Sequence, residues 1–181
     1  MIRTARLILR GWREEDVAPF AAMFRDPAVM AHLGGVPADA DAAARTVIAA
    51  HEGNRAADGH CFWAIERAED GAFLGFCGLR AGGHAGTPVH DELEIGWRLR
   101  HDAWGQGYAR EAAEASFAWG WANTDRPRVA AWTVPANTAS WGLMIRLGMK
   151  RRADLDFEHP FFTPGHFLSH HMVYTAGRPH G

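Results

Sequence analysis

Trp104-Gly105-Gln106-Gly107-Tyr108-Ala109 is the stretch on which the fold of this chain turns. Upstream of it, Leu93-Glu94-Ile95-Gly96-Trp97-Arg98-Leu99 reads as a strand, and downstream a helix is expected from Arg110 to about Trp121. Strand, glycine-bearing loop and helix start together form a physical device. Glycines let the backbone approach a ligand closely, and the free amides of a first helical turn point outward at a partial positive charge. Such a site binds phosphate.

The bulk properties bound the choice of ligand. The chain has 181 residues, 48% of them hydrophobic and 22% charged, as expected of one globular domain over 1–181. Its formal net charge of -2 carries no basic excess, so nucleic acid is not an expected partner. The opening Met1 to Arg10 is interrupted by arginines, and no apolar run is long enough to span a bilayer, so a cytoplasmic location without membrane attachment is expected. Cys61 and Cys77 lack metal-type spacing and read as buried, reduced thiols. No metal is expected.

Working outward, Arg6 to Arg10 reads as a first strand. Acids Glu14-Glu15-Asp16 open a helix with Val17, Phe20, Ala21 and Phe24 at helical spacing, stopped by Asp26-Pro27. Ala28 to Pro37 is a loop or short helical piece, and a second helix is expected from about Asp39 to Ala57. Cys61 to Glu66 and Ala72 to Leu79 form a hairpin around Glu69-Asp70-Gly71. In the strand Glu92 to Leu99, the two-residue period places Leu93, Ile95, Trp97 and Leu99 on one face and Glu92, Glu94 and Arg98 on the other. A strand at Arg128 to Val134 precedes a helix capped by Asn137 and ended by Gly148. Met149 to Leu155 and His166 to Tyr174 read as two closing strands. This order argues for an α+β or α/β sheet with helices on both faces.

The phosphate loop does not match the common nucleotide motifs. A dinucleotide fingerprint wants a small residue where Arg110 stands, and no Gly-Lys-Ser/Thr follows as a P-loop requires. Its neighbours decide the matter. Ile95-Gly96-Trp97, Trp104-Gly105-Gln106-Gly107-Tyr108-Ala109-Arg110-Glu111-Ala112, Asn137-Thr138-Ala139-Ser140-Trp141 and Leu147-Gly148-Met149 occur together. Leu74 to Leu79, His171 to Tyr174 and the opening Thr4 to Arg10 accompany them. In this combination, spread over nearly the whole chain, the sequence resembles the GNAT-superfamily acyl-CoA N-acyltransferases. It lies close to the branch holding the ribosomal-protein N-terminal (alanine/serine) acetyltransferases.

The resemblance implies the GNAT fold, a mixed and mostly antiparallel central sheet of about seven strands, splayed between the fourth and fifth. It implies a cytoplasmic enzyme, monomeric or homodimeric, with acetyl-CoA as acyl donor. That enzyme transfers an acetyl group to a primary amine, either a small molecule or a protein N-terminus. The alternative is a module that binds acyl-CoA without efficient transfer. The CoA pyrophosphate would lie on the backbone of Trp104, Gly105, Gln106, Gly107, Tyr108, Ala109 and Arg110, while Trp97, Leu99 and Asn137 would meet the pantetheine arm. Asn137 reads equally as a plain N-cap. Many relatives protonate the leaving thiolate with a Tyr at the position held here by Met144, which leaves Ser140 as the hydroxyl at that end of the helix. Glu94 is the first candidate for the base, with Glu92 and the histidines His101, His159, His166, His170 and His171 behind it. A solvated strand-face acid is the competing reading of Glu94. The acceptor is expected between Asp26–Pro37 and Asp156–Gly165.

Overall fold

A computed structural model describes residues 1–179. Strands β1 (Ile2–Arg3) and β2 (Leu7–Arg10) lead into helices α1 (Val17–Arg25), α2 (Pro27–Met30) and α3 (Ala40–Asp58). Strands β3 (Phe62–Arg67), β4 (Phe73–Ala81) and β5 (Leu93–Leu99) follow, then α4 (Tyr108–Asn123), β6 (Arg128–Thr133) and α5 (Thr138–Arg146). The chain closes with β7 (Lys150–Arg151), β8 (Phe157–Glu158) and β9 (His170–Gly177). The sheet order is β1-β2-β3-β4-β5-β6-β9-β7, with β8 also paired to β9.

Local chemistry sets the element ends. Asp26 caps α2 by accepting the Ala28 amide at 2.8 Å, and Pro27 occupies the first helical position, where a missing N–H costs nothing. Asp39 caps α3 through the Ala42 amide at 2.9 Å. Gly59 ends that helix in a left-handed turn at φ 76°.

The sheet separates two cores. On one face, Cys77, Leu79, Leu93 and Ile95 pack with Ala112, Ala113 and Phe117 of α4. On the other, Phe62, Phe73 and Phe76 meet Trp12 and Phe20 and Phe24 of α1. Trp12 donates its indole N–H to the Phe62 carbonyl at 2.8 Å, so its polar atom is satisfied inside an aromatic cluster. Each large side chain buried this way contributes roughly 1.5–3 kcal/mol.

Every adjacent strand pair is antiparallel except β5 and β6. Those two are parallel, and their register covers only Leu93↔Val129 and Glu94↔Ala130. Beyond that point the strands diverge. These are the fourth and fifth strands of the sequence reading, so the expected mixed, mostly antiparallel, splayed sheet with helices on both faces is present.

Several expectations are corrected. Among the described residues, nine strands, three of them only two residues long, replace about seven. Met149–Leu155 is not one strand: it breaks after Arg151, where Arg152 pairs with Asp154 and a helical turn covers Ala153–Leu155. His166–Tyr174 begins pairing only at His170, because His166–Ser169 closes a turn in which Ser169 donates both its amide and hydroxyl to the His166 carbonyl at 2.8 Å. Helix α4 starts at Tyr108 rather than Arg110, since Gly107 caps it from a left-handed conformation and draws Tyr108 and Ala109 into the first turn.

Arg10 ties the first strand to the entry of α1. Its guanidinium holds Asp16 bidentately at 2.7 and 2.9 Å and Glu66 at 2.7 Å, with Arg10 and Asp16 nearly excluded from solvent. Removing one partner of such a buried pair strands the other charge. Arg10→Met is expected to lower stability by about 3–5 kcal/mol, read as a fall in the denaturation midpoint at unchanged slope. An unchanged midpoint would show the network contributes nothing net.

Candidate active site

The divergence of β5 and β6 opens a cleft of about 470 Å³. Trp97, Arg98 and Leu99 form its wall on β5, and Asn137, Ala139, Ser140 and Leu143 form the opposite wall at the start of α5. The glycine loop closes one end. Gly105, Gly107, Tyr108, Ala109 and Arg110 line it, with Arg146 across from them. At the other end stand Val29, His32 and Leu33, from α2 and the turn after it.

The loop is shaped by its two glycines, at φ 73° for Gly105 and 81° for Gly107. The first turn of α4 closes with the Glu111 amide on the Gly107 carbonyl at 3.1 Å. The preceding amides lie outside the helical ladder and face the cleft end, where the helix dipole favours an anion. Two anchors hold the loop. Trp104 donates its indole N–H to the Leu99 carbonyl at 2.9 Å, fastening the loop to the end of β5. Arg6 donates to the Gln106 carbonyl at 2.9 Å and pairs with Glu111 at 2.7 Å, while Thr4 donates to the same carboxylate at 2.6 Å. The bend between β1 and β2 therefore clamps a loop about a hundred residues away in sequence.

Comparison with known proteins is decisive at this point. Residues 6–150 match the family described as an acetyltransferase (GNAT) domain. This chain belongs to the GNAT acetyltransferase family. YkkB of Bacillus subtilis (strain 168) is 31% identical over 151 residues, covering 81% of this chain and 83% of that protein. An acetyltransferase from Agrobacterium tumefaciens str. C58 superposes with a TM-score of 0.77 at 25% identity, covering 97% of this chain and 92% of its own. A ribosomal L7/L12 α-N-protein acetyltransferase, RimL, solved with coenzyme A, shares the fold with a TM-score of 0.75 at 16% identity, covering 96% and 95%. Family membership carries acyl transfer from an acyl-CoA to an amine as the general chemistry of this GNAT protein.

The cleft brings together most of the residues singled out from sequence: Trp97, Leu99, Trp104, Gly105, Gly107, Tyr108, Ala109, Arg110, Asn137 and Ser140. Gln106 is not among them; its side chain folds back to donate to the Asp102 carbonyl at 2.8 Å. Asn137 acts as an N-cap, accepting the Ser140 amide at 3.2 Å. The Ser140 hydroxyl lies in the cleft wall and makes no hydrogen bond among the described residues. Met144 is only 2% exposed and packs in the core. Arg146, beside the cleft mouth, was not singled out from sequence; its cation near a phosphate loop was the available signal.

Glu94 lies elsewhere. It points to the face opposite the glycine loop, is 8% exposed, and accepts Arg80 Nε at 2.7 Å. It is therefore a buried acid and not a solvated one. Burial raises its pKa above the ordinary carboxylate value, although Arg80 works against that rise. Gly82 lies so close that an added Cβ would come within 2.4 Å of the Glu94 Cβ. Glu92 is bound by Arg128 Nε at 2.9 and 3.0 Å.

The histidines do not converge on Ser140. His101 packs at a tilt against Trp104, His166 stacks on Phe162, and His170 pairs with Glu158 at 3.1 Å. His159 packs between His84 and His171, and burial, with the neighbouring histidines, lowers it to about 4. Among the described residues, no group of three or more His, Cys, Asp or Glu is arranged to hold a metal.

Both thiols are free and fully buried, and burial pushes each up to about 12. A thiol so protonated and enclosed cannot attack a thioester, so neither cysteine offers a covalent acyl-enzyme route. In the native protein at pH 8, Cys61 and Cys77 are expected to resist an aromatic disulfide reagent and to react only on unfolding. Rapid reaction of either in the folded state would refute the burial argument.

Proposed function

We propose that residues 1–181 form one cytoplasmic N-acetyltransferase domain that moves the acetyl group of acetyl-CoA directly to a primary amine. The observation that carries this reading is the splay-plus-loop geometry: one continuous cleft runs from a helix N-terminus, past an opened strand edge, to Ser140. The pyrophosphate would rest on the amides at Gly105–Arg110, with Arg110 and Arg146 supplying positive charge. The pantetheine amides would pair with the free edge of β5 near Trp97 and Leu99, as an added strand does. One lone pair of the Leu99 carbonyl is already used by Trp104.

The acceptor nitrogen, once neutral, attacks the thioester carbonyl; the C–N bond forms, the C–S bond breaks, and the thiolate leaves. A β5 amide near Trp97 would stabilise the oxyanion. Ser140 would donate a hydrogen bond to the sulfur and relay to it the proton that the nitrogen loses as the amide forms, so the hydroxyl is restored. Glu94 would take the proton of the amine through water, its raised pKa making it a stronger base than a solvent-exposed acid. A protein N-terminus or a small amine is the acceptor class. The placement of Met144 in the core favours a second reading, in which the domain binds acyl-CoA but transfers poorly.

Calorimetry with acetyl-CoA and a screen of amines and peptides test both readings. Gly107→Val forces a β-branched residue to φ 81° in the loop and is expected to weaken acetyl-CoA binding at least tenfold. Ser140→Ala is expected to lower kcat by about 10²-fold, as for a lost proton donor, with little change in acetyl-CoA affinity. Glu94→Gln should remove the acidic limb of the pH–rate profile. Absence of acetyl-CoA binding would end the proposal, and binding without thiol release across the screen would select the second reading.

A further inference from the structure

Arg98 sits in an unusual place for a cation. The two-residue period of β5 turns it away from α4 and the glycine loop, toward the face covered by α1 and α3. Its guanidinium lies over Phe24 at 5.1 Å and Phe76 at 5.4 Å. It makes no hydrogen bond and no ion pair among the described residues, and its Nη1 is sealed from solvent without a partner. Burial lowers its pKa to about 10. Arg80, its neighbour on that face, is by contrast paired with Glu94.

A guanidinium shielded by two aromatic rings and lacking a counter-ion carries a desolvation cost that an oxyanion would offset. Arg98 lines the same cleft as Ser140, Val29 and His32. His32 Nδ1 is a second sealed nitrogen without a partner there. The period of β5 puts Arg98 on the strand face away from α4, and its neighbours in the cleft on that side are Val29 and His32 rather than the first turn of α4. The ligand that reaches Arg98 enters from the α1–α2 side, where the acceptor belongs.

We propose that Arg98 receives a carboxylate of the substrate on the acceptor side of the splay. This rests on the acyl-transfer reading given above and deepens it. The carboxylate belongs either to the acceptor, which is then an amino-acid-like amine, or to the far end of a dicarboxylic acyl group. Arg98 pairs with it from the part of its side chain that lines the cleft, while the two rings flank the guanidinium.

The test uses matched pairs that differ in one charge. With acetyl-CoA, L-alanine is compared with L-alaninamide, and 4-aminobutyrate with 4-aminobutanamide, each at equal concentration of neutral amine. With a neutral amine acceptor, succinyl-CoA is compared with butyryl-CoA. At least about a tenfold preference in kcat/KM for the acid is expected in one arm, and the arm that shows it identifies the source. Arg98→Gln should lower kcat/KM for the acid at least about tenfold more than for its neutral partner, erasing the preference, and Arg98→Lys should restore part of it. Calorimetry of the same acids and amides on the CoA-bound protein, and of the two acyl-CoAs on the free protein, reads binding without turnover. Selective carboxylate binding lost in Arg98→Gln, with no transfer, sustains the inference and removes the acyl-transfer reading. Transfer with no acid preference in either arm, or an Arg98→Gln variant that loses acid and amide alike, overturns the inference and leaves transfer standing.

Discussion

The short parallel register between β5 and β6 is the constraint on which the rest of the molecule depends. Two residue pairs join these strands before they part. The split is tolerable because each strand has another partner. β5 pairs with β4 along its whole length, from Gly75↔Leu99 to Ala81↔Leu93, and β6 pairs with β9 from Arg128↔Gly177 to Thr133↔Met172. What is left unpaired is the inner edge of each strand, and unpaired peptide groups inside a protein need a partner. An opened edge inside a cleft thus leaves backbone groups free to hydrogen-bond.

From this split follows a division of labour across one strand. Leu93, Ile95 and Leu99 of β5 face α4, where the loop amides and the helix dipole create an anion site without a formal charge buried in the sheet. Glu94 and Arg98 face the aromatic core under α1 and α3, where burial shifts both away from their usual pKa values. A period of two residues places an apolar surface packed against α4 and a charged surface packed against the aromatic core on the same seven residues. The glycine loop carries no such desolvated charge, and backbone amides supply its field. The loop's own rigidity comes from afar: Thr4 and Arg6, Glu111, and the indole of Trp104 hold it from three directions.

Much of this was legible in the chain. Strand, glycine loop and helix are local motifs, written in residues that are adjacent in sequence, and their alternation is what makes the family visible. The closing strands were less so. Met149–Leu155 and His166–Tyr174 both look extended by composition, yet Arg152–Asp154 and Ser169–His166 contacts turn the chain within each run. Local contacts, between two side chains at Arg152–Asp154 and from a side chain to backbone at Ser169–His166, compete with the ladder, and a pattern of apolar residues does not register that competition. The residues of the site divide similarly. Asn137 and Ser140 were readable because a cap and a first helical turn are local.

By itself, the sequence determined most of the elements, the glycine loop before a helix start at Trp104–Ala109 and the face each β5 residue presents, because these depend on periods of two and 3.6 residues and on glycine's conformational freedom. Tertiary structure alone decided which charges meet. Glu94 proved to be a buried acid held by Arg80 and not a solvated one, Glu92 was taken up by Arg128, and Arg98 was left without a partner between Phe24 and Phe76. Those outcomes turn on helices and strands distant in the chain packing onto one sheet face. The desolvation and pairing of a charge depend on what surrounds it in space, which spacing along a chain does not encode.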